Sequence, residues 1–429
     1  MTNKLNLKTA IKAALLGGSA LLACTQMVAA DSLPEKEKSN PLRNPYFGEL
    51  HLHTKYSLDS YMMGNNNDPD DAYRFAKGDK ALPIGNSGVE IKITRPLDFA
   101  AVTDHAETIA EYLLCVEGEM VEEGIYNSPT CQQVRVGRPD SDIYKSMGEK
   151  IYDPQPTHNE EVCPTKEGEE DSEVCRKASM TMWQMSQKIA EEHYKPHRFT
   201  TFIAYEHSPS TPAPNNATFH RNVIFRGTQV PDNVISAYDA YTASDLWKQL
   251  DESCDKDKGC EVLVIPHNPN LSSGMYFAKE DRQNHEPDVD GITPPPKPYT
   301  LEDYERRERL EPLIEIHQIK GNSECLLGAG TTDEFCQFET IVKPNCGNFD
   351  QKSYPDVNCV EDSYVRNGLK KGLTFGESNP FKYGFVGGTD NHNGTPGSTA
   401  EFQLVNSSPA SATPGLSLYE ASPANTFSR

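Results

Sequence analysis

Short apolar runs separated by polar stretches recur along the chain. They are "LDFAAVT" (97–103), "FTTFIAY" (199–205), "NVIF" (222–225), "EVLVI" (261–265), "LIEI" (313–316) and "YGFVGG" (383–388). Several are nearly continuous in apolar residues rather than alternating, which predicts strands buried on both faces, as in a parallel sheet. Helical periodicity falls between them. "NDPDDAYRFAKG" (67–78) offers Asp68 as N-cap, Pro69 in the first turn and Gly78 as a stop. "ASMTMWQMSQKIAEEHY" (178–194) spaces Met, Trp and Ile as a core-facing stripe. "TASDLWKQLDES" (242–253) is helical after Ser244, and "TLEDYERRERL" (300–310) after Thr300. Strands alternating with helices predict an α/β fold.

Three stretches break this rhythm: an acidic one at 106–176, a Pro/Asp/Asn-rich one at 269–299, and one at 321–380. Loops of this length in a compact domain are read as insertions over one end of the core. The ten cysteines beyond residue 30 fall in sequence-near pairs: Cys115/Cys131, Cys163/Cys175, Cys254/Cys260, Cys325/Cys336 and Cys346/Cys359. With no CxxC present, disulfides formed in an oxidising compartment are the natural reading, and they would staple the insertions.

The first 30 residues agree with export. Lys4, Lys8 and Lys12 precede the apolar "AALLGGSALLA", and "VAA" before Asp31 suits signal peptidase. "LLAC" ending at Cys24 is an imperfect lipobox, so a lipid anchor there is the alternative leader. No later apolar run approaches 18 residues, so no transmembrane segment is expected. Removing three Lys and no acids moves the formal charge from −22 to −25. Such a charge repels phosphate backbones and argues against a nucleic-acid partner. It does not exclude a small anionic substrate at a cationic centre.

The chemistry sits at the ends of the apolar runs. "FGELHLHTKYSLDS" (47–60) places His51 and His53 one residue apart, so on a strand both imidazoles point to one side. "LDFAAVT" runs into Asp104 and His105, "FTTFIAY" into Glu206 and His207. His220 precedes "NVIF", and "EVLVIP" runs into His267. "LIEI" contains Glu315 and leads to His317, and "YGFVGGT" runs into Asp390 and His392. His207 aside, seven of the twelve histidines (His51, His53, His105, His220, His267, His317 and His392) follow or begin an apolar run in this way, a concentration that scattered placement would not give. Open α/β sheets and α/β barrels place their sites at these strand ends. Imidazoles suit Zn²⁺, Mn²⁺ or Fe²⁺, and strand-end carboxylates can bridge two cations. His158, His193, His197 and His285 lie in polar insertions or helices and read as surface residues.

HLHT…SLD, TDH, YEH, IPHN and GTDNHNG, in that order, resemble the polymerase and histidinol phosphatase (PHP) superfamily. "PDDAYRFAKG", "HRNVIFRG" and "LEPLIEIHQIKGNSEC" resemble its exported DUF3604 branch. The resemblance covers residues 44–429 and implies a distorted (β/α)7 TIM-like barrel with up to three metals. It implies a first metal on His51, His53, Glu206 and Asp390, a second on Glu206, His220 and His267, and a third on Asp59, His105 and His392. His207 is the alternative to His220, which is preferred because it opens a strand. Asp104 is expected to support the ligands by hydrogen bonding. Glu315 and His317 match no standard ligand and are expected to orient imidazoles or contact substrate. Relatives continue well past the DxH strand, whereas this chain stops 37 residues after His392 in a polar tail, so the expectation is either a trimmed barrel end or an incomplete chain.

The implied activity is an exported, periplasmic or secreted bacterial hydrolase. Two or three divalent ions (Zn, Mn or Fe) would activate water against a phosphoester, with Glu206, Asp390 and His392 as catalytic residues. Arg221, Lys320 and His317 are the candidate substrate contacts, and His392 or His105 the proton donor to the leaving oxygen. The alternatives are a carboxylic ester or amide hydrolase of amidohydrolase type and a metal-binding protein without turnover.

Overall fold

The structure, a computed structural model, describes residues 43–398 except 119–122, 138–146, 148–155, 167–170, 211–216, 282–296, 341–343, 345, 348–354 and 377. The expected signal segment, Cys24, His285 and the C-terminal tail lie outside the described residues. Every described strand and helix belongs to the unit that begins at Tyr46.

The main strands are β1 (Gly48–Glu49), β2 (Phe99–Ala101), β3 (Thr200–His207), β4 (Arg221–Phe225), β5 (Val262–Pro266), β6 (Leu313–Gln318), β7 (Gly321–Asn322) and β8 (Gly384–Gly387), all but β1 and β7 built from the six apolar runs. β1 to β5 form one sheet in sequence order, and β7, β6 and β8 a second. Beyond the ladders, Leu52 bridges Asn391, and His105 bridges Glu206. The Leu52 bridge ties the chain after β8 back to the chain after β1, so the sheets curl toward one another as a half-barrel in a mixed α/β fold.

One expectation fails. β1, β2 and β3 are parallel, but β4 runs antiparallel to both β3 and β5. An antiparallel neighbour needs no crossover helix, and residues 208–220 carry none among those described. Gly48 lets β1 approach β2: a Cβ there would stand 2.2 Å from the Phe99 ring.

The helices follow their capping signals. α1 (Leu58–Met62) carries Asp59 in its first turn. In α2 (Pro69–Ala76), Asp68 accepts the Asp71 N–H at 3.0 Å. α3 (Ile109–Cys115) and α4 (Pro129–Val136) lie in the first insertion. α5 (Glu173–His193) buries Ala178, Met182, Trp183 and Ala190. α6 (Ala243–Ser253) is capped two residues earlier than expected: Thr242, not Ser244, accepts the Asp245 N–H, while Ser244 bonds Asp281. α7 (Leu301–Leu310) has a capping box between Thr300 and Asp303. α8 (Val365–Gly372) lies in the third insertion.

The two faces of the main sheet bury different sets. Tyr205, Val223 and Phe225 pack outward with Trp183, Trp247 and Leu250. Ala101, Ala204, Ile224 and Ile265 form a small inner cluster against Leu313 and Val386. Cys115–Cys131, Cys163–Cys175, Cys254–Cys260, Cys325–Cys336 and Cys346–Cys359 are joined as disulfides.

Candidate metal centre

Strand alternation aims Glu206 inward, on the Ala204 side of β3, and sends its neighbour His207 outward. His207 donates its Nε2–H to the Ala240 carbonyl at 2.7 Å, which takes it away from the inner group. Glu206 receives the imidazoles. Its Oε2 lies 3.2 Å from His51 Nε2 and 3.0 Å from His53 Nε2. Its Oε1 lies 2.9 Å from His220 Nδ1 and 3.1 Å from His267 Nε2. Asp390 Oδ1 closes the first group, 3.2 Å from His51 Nε2 and 3.1 Å from His53 Nε2. Asp59 Oδ2 gathers a third, 3.4 Å from His105 Nε2 and 3.1 Å from His392 Nε2. The nine candidate ligands therefore converge, and all but Asp59, His105 and His220 are buried.

Backbone geometry holds them there. Asp390 N–H donates to the His51 carbonyl at 3.0 Å, and His53 N–H to the Asn391 carbonyl at 2.8 Å. Asp390 adopts φ +51°, a left-handed conformation uncommon outside glycine and often kept at functional sites. Gly388 makes room: a Cβ there would meet Glu315 Oε2 at 2.2 Å and His51 Cβ at 2.8 Å.

A second layer fixes the tautomers. His51 Nδ1 donates to Glu315 at 3.0 Å. His53 Nδ1 donates to Ser57 Oγ at 2.9 Å, because the Ser57 hydroxyl itself donates to Asp104 at 2.7 Å. His105 Nδ1 donates to Ser208 Oγ at 2.6 Å, whose hydroxyl donates to Glu206 at 3.0 Å. His392 Nδ1 donates to the Asp390 carbonyl at 2.9 Å. In all four the neutral ring then turns the Nε2 lone pair toward a carboxylate. Acceptor facing acceptor in a buried site is stable only with a proton or a cation between them. His53 Nε2 and His220 Nδ1 are buried without a hydrogen bond, although Glu206 lies within 3.0 Å of each. The donor set thus fits divalent cations.

Protons can fill only part of these gaps. Burial pushes His51 down, but Glu315 and Glu206 more than offset it and hold it at about 9. Burial likewise opposes His105, yet Glu206 and Asp59 raise it to about 9. For His220, His267 and His392 burial prevails and holds each near 3.

The candidate substrate contacts divide. Lys320 reaches Asp390 through its ammonium group and is 33 % exposed. Arg221 does not face the centre. It follows His220 on β4, so alternation sends it outward, where it is buried on Glu311 and the Phe219 carbonyl and is not free for substrate. His317 pairs instead with Glu339 at 2.7 Å, past a register shift in β6 after Glu315. Of the histidines read as surface residues, His158 and His193 are largely covered and bonded to Glu111 and Asp70.

Sequence reading missed Glu49, Ser57 and Ser208. Glu49 accepts the N–H groups of His51 and Thr389, both at 3.1 Å, and so clamps the two ligand segments together. Its signal was its place two residues before His51, at the strand's own period.

The profile of a family described as "Protein of unknown function (DUF3604)" matches residues 40–421. No curated protein and no solved structure matches the chain.

Proposed function

We propose that this chain, which belongs to the DUF3604 family, is an exported metal-dependent hydrolase, most specifically a phosphoesterase. The observation that carries the reading is Glu206. Its two oxygens face different imidazole sets, Oε2 toward His51 and His53 and Oε1 toward His220 and His267. A carboxylate so placed suits a bridge between two cations. His51, His53, Glu206 and Asp390 would hold one ion, Glu206, His220 and His267 a second, and Asp59, His105 and His392 a third. Imidazole with carboxylate suits Zn, Mn or Fe.

Divalent cations held by these residues would supply acidified water and positive charge to offset that of a phosphoryl group. The chain's own residues do the remaining work. Glu315, Ser57 and Ser208 hold His51, His53 and His105 in one tautomer. Lys320, at the open side, can turn from Asp390 to an anionic oxygen of substrate. His105 and His392 meet at Asp59, and of the two His105, held at about 9, is the one charged to protonate the leaving oxygen where no cation engages it.

The half-barrel curl and the motif order support a distorted (β/α)7 barrel of PHP type. The five disulfides support export to the periplasm or beyond. No helix among the described residues is long and apolar enough to cross a membrane. The strong negative charge favours a small-molecule substrate over nucleic acid.

The test is a side-by-side assay of phosphomonoesters, phosphodiesters and carboxyl esters with added Mn²⁺ or Zn²⁺. Phosphoester cleavage that disappears in Glu206→Gln is expected. Cleavage of carboxyl esters alone would turn the reading to an amidohydrolase-type enzyme. Bound metal without turnover would leave a metal-binding protein.

A further inference from the structure

Helix α3, which leads away from the His105 loop, carries a separate group of ligand-type side chains. Glu111 is 1 % exposed, and its Oε1 lies 2.7 Å from His158 Nδ1 and 3.6 Å from Cys163 Sγ. Cys163 is joined to Cys175. One donor atom from each of Glu111, His158, Cys163 and Cys175 lies within 4.8 Å of all the others. None of the four belongs to the centre described above. The second oxygen of Glu111, Oε2, is buried without a hydrogen bond. A cavity of about 730 Å³ reaches the group and is lined by His158 and Cys175. Asp171, Asp239 and Glu252 line it against the single Arg176, so the approach favours a cation.

We propose that reduction of the Cys163–Cys175 disulfide turns this group into a binding site for a thiophilic divalent cation of the zinc type. Two thiolates, one imidazole and one carboxylate make a four-ligand tetrahedral set. The chemistry balances with a dithiol as reductant. It supplies two electrons and two protons, the S–S bond breaks, two thiols form, and the reductant leaves as its own disulfide. The cation then displaces to solvent both thiol protons and the proton held between His158 Nδ1 and Glu111 Oε1. His158 carries its remaining proton on Nε2, which faces Asp171 at 3.9 Å, and this leaves Nδ1 for the cation. The sulfurs need only part to about 3.8 Å, the tetrahedral separation for bonds of about 2.3 Å.

Sulfur makes the test independent of the main centre, whose donors are all nitrogen and oxygen. The full chain is reduced with dithiothreitol under anaerobic conditions, freed of reductant by gel filtration, and titrated with Co²⁺. The expected result is thiolate-to-cobalt absorption in the reduced protein and none in the oxidised protein. Cys163→Ser should abolish the signal. His158→Ala, which keeps every cysteine, should weaken cobalt binding at least tenfold. Near-ultraviolet circular dichroism follows the fold throughout. Reduced but folded protein without the absorption would overturn the proposal. So would a signal unchanged in His158→Ala, or a Cys163–Cys175 bond that is reduced only when the chain unfolds.

Discussion

Two groups of buried charge lie on opposite faces of the same sheet, and they are built on opposite logic. On the outer face Arg221 Nε donates to Glu311 Oε1 at 2.7 Å, and Arg307 Nε to Glu311 Oε2 at 3.1 Å. Trp247 Nε1 adds a third donor to Glu311 at 2.9 Å, and Arg307 also donates to the Tyr276 carbonyl at 2.7 Å. There every acceptor meets a donor. On the inner face the carboxylates of Glu206, Asp390 and Asp59 meet His51, His53, His105 and His392 at nitrogens whose protons have been drawn to the far side of the ring. The outer group is satisfied by the chain alone, and the inner one asks for something more. Burial and charge therefore do not separate a structural knot from a ligand site; the balance of donors and acceptors does.

The most severe way to break the comparison is Glu311→Ala. It strands two buried guanidinium groups and should cost about 3–5 kcal/mol of stability, read by guanidinium-chloride unfolding. Metal bound per folded molecule should be unchanged. Glu206→Gln is the mirror experiment. Fold and disulfides should persist, while metal affinity drops more than about 100-fold, beyond the 10–100-fold typical of an outer partner. Competition against a chelator measures it. Should Glu206→Gln unfold the protein while Glu311→Ala merely releases metal, the two roles would have to be exchanged.

Glu315→Gln sharpens the comparison at intermediate size. It removes the acceptor that holds the His51 Nδ1 proton, so metal affinity should fall about 10–100-fold with little change in stability. Calorimetric titration of the purified variant would show it.

The smallest effect is in pH. In the metal-free protein His51 and His105, raised to about 9, favour the fold fully below pH of about 6.5, and this contribution is lost as pH rises toward 9. His220, His267 and His392, lowered to about 3, contribute above about 6.5 and lose it as pH falls toward 3. Metal must displace the protons on His51 and His105. Binding at pH 7–8 should therefore release protons, and affinity should rise toward pH 9, as titrations in buffers of different ionisation enthalpy would show. The outer knot adds nothing in this range, because its arginines are raised and Glu311 is lowered.

Much of the inner site was legible because it obeys short rules. His51 and His53 alternate on an extended segment, and His105, Glu206, His267 and Asp390 end apolar runs, where loops meet strands. Arg221 was misread against the same rule: as the neighbour of His220 it had to point the other way. His317 shares the strand period with Glu315, but the register shift between them took it to Glu339, and no sequence pattern announces such a shift. The antiparallel course of β4 was hidden because an apolar run buried on both faces reads the same in either direction. The relay from His53 through Ser57 to Asp104 depends on how one loop folds back, and the knot at Glu311 on Arg221 from β4 and Trp247 from α6, which join its i,i+4 neighbour Arg307. Neither has a local signature.

The central claim is that the inner acceptors are arranged around cations. Elemental analysis of the purified protein, after dialysis against trace Mn²⁺ and Zn²⁺ and then metal-free buffer, tests it most directly. The account predicts two or three tightly held divalent ions per folded chain and a loss of at least two of them in Glu206→Gln. A folded protein that holds none, or a Glu206→Gln variant that retains the same number, would contradict it.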